Sequence, residues 1–139
     1  MTRVTYLLGA AGGLLALSSI FFPWYRFAGF SFQLLAALKS NPCPRGAHCE
    51  IVPVSPTLIV AFACTIVGGC LGIASTMLHR TRTRLSRIML VVGFVSIIIG
   101  TVVSFSDAVV REGLSIGFYT DSFSAVLFLI HIVTESVRP

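Results

Sequence analysis

Charge divides this chain into long silent stretches. Residues 4–25, 51–78 and 88–106 contain no Asp, Glu, Lys or Arg, and residues 118–134 contain only Asp121. In hydrocarbon every backbone N–H and C=O must be satisfied within the protein, and a helix rising about 1.5 Å per residue needs roughly 20 apolar residues to cross a layer of about 30 Å. The four stretches therefore predict an all-α membrane fold, an antiparallel four-transmembrane-helix bundle with spans at about 4–22, 57–78, 88–105 and 118–137. The 139 residues are read as a single domain, 1–139, because four crossings and their turns use nearly all of the length. A composition of 55% hydrophobic and 11% charged residues fits a lipid-exposed bundle rather than a water-soluble core.

The net charge of +5 has a topological meaning. Arg80, Arg82, Arg84 and Arg87 fall in one short turn, 79–87, as the positive-inside rule requires of a cytoplasmic loop. That turn suits anionic lipid headgroups and argues against nucleic acid as the partner. It places both termini in the cytoplasm, with outer loops at 23–56 and 106–117; Asp107, Arg111 and Glu112 leave the second of these mildly acidic. The first apolar segment is read as a retained span. The bulky Phe21-Phe22-Pro23-Trp24 after it does not suit a signal peptidase, which needs small residues.

Small residues mark the faces expected to pack. Gly9 and Gly13 in span one, and Gly68 and Gly72 in span two, have the small-xxx-small spacing that lets helix backbones approach where no hydrophobic effect drives association. Pro23 should stop span one, and Trp24 and Tyr25 should form an interfacial aromatic belt. The first outer loop is too long to be structureless. Its residues predict an extended Tyr25-Arg26-Phe27, a short surface helix from Ser31 to Lys39, a turn at 41–46 and a brief strand from Glu50 to Val54. Leu114-Ser115-Ile116 is expected to add one strand beside it, completing a small extracytoplasmic strand/helix cap.

Few residues offer chemistry. Cys43 and Cys49 face the oxidising side and flank a five-residue turn, so they are read as a structural disulfide, which by chain entropy contributes roughly 2–2.5 kcal/mol. A redox pair is the alternative, but it usually takes Cys-x-x-Cys spacing or a second outward pair, and the second outer loop has no cysteine. His48 between them lacks enough companions for a metal site. Cys64 and Cys70 are expected to be buried thiols. Asp121 and His131 are the intramembrane polar residues that invite a functional role. With span four starting near Phe118, Asp121 would lie in its first turn, as a cap or paired with Arg26 or Arg111. His131 and Glu135, four apart, suggest a hydrogen bond on the helix surface, and His79 an interfacial position beside the arginines. No cofactor or metal is called for.

Phe22-Pro23-Trp24, Gly29-Phe30-Ser31 and Gly117-Phe118-Tyr119 carry a resemblance to small uncharacterised bacterial four-span membrane proteins. In layout the chain also resembles the claudin type of bundle, with a long first outer loop, a Trp near its start, two loop cysteines and a shorter second outer loop. The resemblance implies the fold and a bacterial inner (cytoplasmic) membrane. It does not extend to paracellular barrier function, because the Gly-Leu-Trp of claudins is missing before Cys43. The functional expectation is a non-catalytic accessory, assembly or scaffold subunit whose partners are membrane lipids and other membrane subunits or copies of itself. The alternatives are a thiol-disulfide or quinone-linked oxidoreductase using Cys43 and Cys49, and a small transporter or channel involving Asp121.

Overall fold

The computed structural model describes residues 2–27, 30–33, 56–79, 83–106 and 115–136, and the side chains of 7–24, 56–79, 83–106 and 115–136. Four helices dominate: α1 (Thr2–Ser19), α2 (Pro56–Leu78), α3 (Thr83–Ser106) and α4 (Ile116–Ser136). The last three are long and apolar enough to cross a membrane. Between α1 and α2, strands β1 (Pro23–Phe27) and β2 (Phe30–Gln33) pair antiparallel.

The helices differ from the expected spans at their ends, for identifiable reasons. Span one was expected to run to residue 22, but α1 stops at Ser19. Pro23 has no N–H to give the carbonyl four residues back, which is that of Ser19. That carbonyl is taken instead by Phe22 N at 3.1 Å and by the indole Nε1 of Trp24 at 2.8 Å. At 18 residues, α1 rises about 27 Å, slightly less than a full hydrocarbon layer. α2 opens on Pro56, whose missing N–H is one a first-turn residue does not need. α3 begins at Thr83, five residues before the expected 88, so Arg84 and Arg87 lie on its first turns rather than in a loop.

The residues of the expected outer loops also depart from expectation. Phe30–Gln33 is strand, so the helix expected from Ser31 does not begin there; the remainder of that helix, the strand at 50–54 and both loop cysteines lie outside the described residues. Ile116 opens α4 instead of extending a strand. Ser115 still touches the hairpin, through a single bond from its N–H to Trp24 O at 3.0 Å.

Interior and exterior have opposite composition. The buried face of α3 repeats as Ser86, Leu90, Gly93, Ile97, Gly100 and Ser104, and that of α2 includes Leu58, Ala61, Thr65, Gly68, Gly72 and Ser75. Alternating steps of three and four residues keep one seam facing a neighbour along the whole helix. Large side chains point outward instead, among them Val60, Val67, Val95, Val102, Phe123 and Leu129. Contacts pair opposite ends of adjacent helices: Gly9 with His131, Gly117 with Ser19, Gly13 with Gly69 and Gly100 with Ala61. α1 thus packs on α2 and α4, and α2 on α3. The link from Thr101 to Asp121 and that from Arg87 to Glu135 join α3 to α4. Ala16, Leu90, Ile97, Ala125 and Phe128 make up the apolar core.

Candidate functional site: two carboxylates on one face of α4

The buried face of α4 carries Gly117, Phe118, Asp121, Ser124, Ala125, Phe128, His131 and Glu135. It brings two carboxylates into the interior, about 21 Å apart along the helix axis at 1.5 Å per residue. Most hydroxyls around them are satisfied within their own helices. Ser75, Ser104 and Ser124 donate to carbonyls three or four residues back, at 2.7–2.8 Å, which lets a polar side chain sit in an apolar bundle.

Glu135, at the arginine-bearing end, is 7% exposed and is met by Arg87 and by ring nitrogens of two histidines. Its Oε1 lies 3.1 Å from His79 Nδ1 at the end of α2 and 3.5 Å from His131 Nε2 one turn back on α4. Its Oε2 lies 3.6 Å from Arg87 Nε on α3. Ser86 donates to Ser75 O at 2.7 Å and stands 3.4 Å from His79 Nδ1, fixing the α2–α3 corner behind the histidine. His131, expected to make a surface bond with Glu135, makes it in the interior: the imidazole is 3% exposed and lies over Gly9. A Cβ on Gly9 would come within 2.7 Å of its Nδ1.

Asp121 has quite different surroundings. It is 1% exposed and lies beyond the first turn, because α4 starts at Ile116, so it does not cap the helix. Thr65 Oγ1 of α2 stands 3.5 Å, and Thr101 Oγ1 of α3 3.2 Å, from its Oδ2. Among the described residues Oδ1 has no hydrogen-bond partner and no ion pair to Asp121 forms. The side chains of Arg26 and Arg111, its expected partners, lie outside the described ones. One turn toward the start of α4, Phe118 packs edge-on against Trp24, with ring centroids 6.4 Å apart.

The other expected residues fall as follows. Gly13 meets the backbone of Gly69, with a Cβ there only 2.7 Å from its carbonyl oxygen. Gly68 faces Ile97 and Gly93 of α3, whereas Gly72 makes room for the ring of Phe128. The two glycines of span two thus serve different neighbours. Trp24 is fully buried and not part of a surface belt, because its single N–H is committed to Ser19 O and its ring fills the space beside Gly117. The side chain of Tyr25 lies outside the described ones. Cys64 is half-buried, and Cys70, expected inside, is exposed on the outward face. Arg84 is exposed, Arg87 reaches Glu135, and Arg80 and Arg82 lie outside the described residues. Sequence reasoning missed Thr65 and Thr101 and undervalued His79 and Glu135. Thr65 lies three positions before Gly68, on the face its glycines already marked.

Among the described residues, no three His, Cys, Asp or Glu side chains are placed to hold a metal ion. No family model, curated protein or solved structure matches the chain.

Proposed function

We propose that the protein is a non-catalytic accessory, assembly or scaffold subunit of a larger membrane protein complex. In this reading all four helices cross a bacterial inner membrane as an antiparallel bundle. Both termini and the arginine turn are cytoplasmic, and the β1–β2 hairpin belongs to a small outer cap. The three long apolar helices support the membrane setting. α1, the short one, extends its reach through the turn at 20–22 into β1.

The observation that carries the subunit reading is the outward face of α3 and α4. These two are the loosest of the neighbouring helix pairs. A groove of about 180 Å³ opens between them, walled by Phe94, Ile98, Val126 and Leu129 and floored by Thr101, Ser122 and Ala125. Large ridges flanking a floor of small and hydroxylated residues give a neighbouring helix something to interlock with by shape, which is the main source of helix association in lipid.

Gentle detergent extraction of the full chain, followed by native mass measurement, tests the reading. A stoichiometric membrane partner, lost when Ala125→Leu or Ser122→Leu fills the groove, is the expected result. A bare monomer whose deletion changes the level of no other membrane protein would contradict it.

A further inference from the structure

We propose that Asp121 is the binding site of an exchangeable small monovalent cation, a proton or Na⁺, held inside the helix bundle. The inference is independent of the subunit reading and rests on hydrogen-bond supply around one carboxylate. A bare buried carboxylate needs several short donors or a positive charge, with charge-assisted O–H···O⁻ contacts of about 2.5–2.7 Å. Among the described residues Asp121, at 1% exposure, has neither. Its two nearest hydroxyls stand at 3.2 and 3.5 Å, and both face the same oxygen, Oδ2.

Even those two cannot both be counted as donors. Thr101 has one hydroxyl hydrogen, and Ile97 O, at 2.9 Å, is a nearer acceptor for it than Asp121 Oδ2. If Thr101 serves Ile97, its oxygen presents a lone pair to Asp121 rather than a hydrogen. That leaves Thr65, at 3.5 Å, as the one remaining donor, and nothing at all for Oδ1. Such an arrangement is rich in acceptors and poor in donors, which is what a cation binds to. A proton would complete a hydrogen bond from the carboxyl to Thr101 Oγ1, and Na⁺ would take the same oxygens as ligands.

No described neighbour competes for this role. On α2 the ionisable group nearby is Cys64, a thiol that brings no positive charge. The ionisable groups described on α3, Arg84 and Arg87, lie on its first turns, at the opposite end from Thr101. The described side chains of α1 include no ionisable group. On α4, Tyr119 points outward, and His131 and Glu135 engage each other far along the axis. Asp121 lies near the outer end of α4, beneath the Phe118–Trp24 pair, so exchange would occur from the outer side past these two rings.

The chain has only two aspartates, Asp107 and Asp121, so the carboxyl carbon of Asp121 can be observed alone. Full-length protein carrying Asp107→Asn and ¹³Cγ-labelled aspartate, in lipid nanodiscs, leaves a single labelled resonance with Asp121 intact. Its shift would be followed through a pH titration in potassium buffer, and then through Na⁺ addition at fixed pH. Movement with pH alone assigns the proton, and movement with Na⁺ at constant pH assigns Na⁺; either supports the proposal. A resonance fixed under both titrations would overturn it.

Discussion

The two ends of α4 solve the same physical problem in opposite ways. Each buries a carboxylate that hydrocarbon disfavours strongly. Near the C-terminal end of α4 Glu135 is met by His79, which follows α2, by His131 of α4 and by Arg87 of α3. Near its N-terminal end Asp121 is met by two threonine hydroxyls at long range, with one oxygen left without a partner among the described residues. The first arrangement is a joint: it ties three helices at the arginine-bearing corner, and all its polar partners belong to the chain. The second is incomplete as it stands, and a fold that needed a carboxylate there only for stability would have given it a partner. The difference separates a structural polar cluster from a binding site, although both carboxylates lie on the buried face of α4.

The comparison can be broken most forcefully at the C-terminal end of α4. Glu135→Ala removes the acceptor shared by His79, His131 and Arg87; the two imidazoles are largely buried, whereas Arg87 is 62% exposed and its ion pair is screened, so the loss is about 3 kcal/mol. A denaturant or thermal unfolding series in detergent should therefore show Glu135→Ala as the most damaging single change on α4. Gly13→Val comes next. Its Cβ would press on the backbone oxygen of Gly69, 2.7 Å away, and such overpacking costs about 1–3 kcal/mol. The same unfolding series should register this as an α1–α2 defect, partly relieved by no change on α4.

Smaller effects are expected at the N-terminal end of α4. Trp24→Phe keeps the ring that fills the space beside Gly117 but removes the N–H donated to Ser19 O, with a loss of about 1 kcal/mol in the same assay. Asp121→Asn should be smallest, within about 1 kcal/mol of the parent in either direction. The amide is nearly isosteric, and its NH₂ can donate where the carboxylate lacked donors. Any activity that depends on the cation would nonetheless disappear, so stability and function would separate at Asp121 and fall together at Glu135.

What was legible in the sequence followed from charge and hydrophobicity. The uncharged stretches located α2 to within a residue and the other helices to within a few, since hydropathy reports directly on the medium. Helix ends were harder to read. The end of α1 depends on which groups claim the Ser19 carbonyl, and the claim of the Trp24 indole is a tertiary fact. The candidate site was half visible. Asp121 and His131 stood out as ionisable groups in apolar runs, but their roles depend on which side chains face them across the bundle. Thr65 and Thr101 look like ordinary helix residues until the neighbouring helices are in place. The glycines were more informative than they first seemed: the face of α2 marked by Gly68 and Gly72 also carries Thr65 and Ser75. Following the three-four rhythm from any one of them leads to the hydroxyl that meets Asp121.

The most direct test of this account is a side-by-side unfolding measurement of Glu135→Gln and Asp121→Asn in lipid nanodiscs, since both changes remove a charge and keep the shape. The account predicts a large loss of stability for Glu135→Gln and little or none for Asp121→Asn. Equal losses, or a larger loss at Asp121, would contradict it, because Asp121 would then be as structural as Glu135.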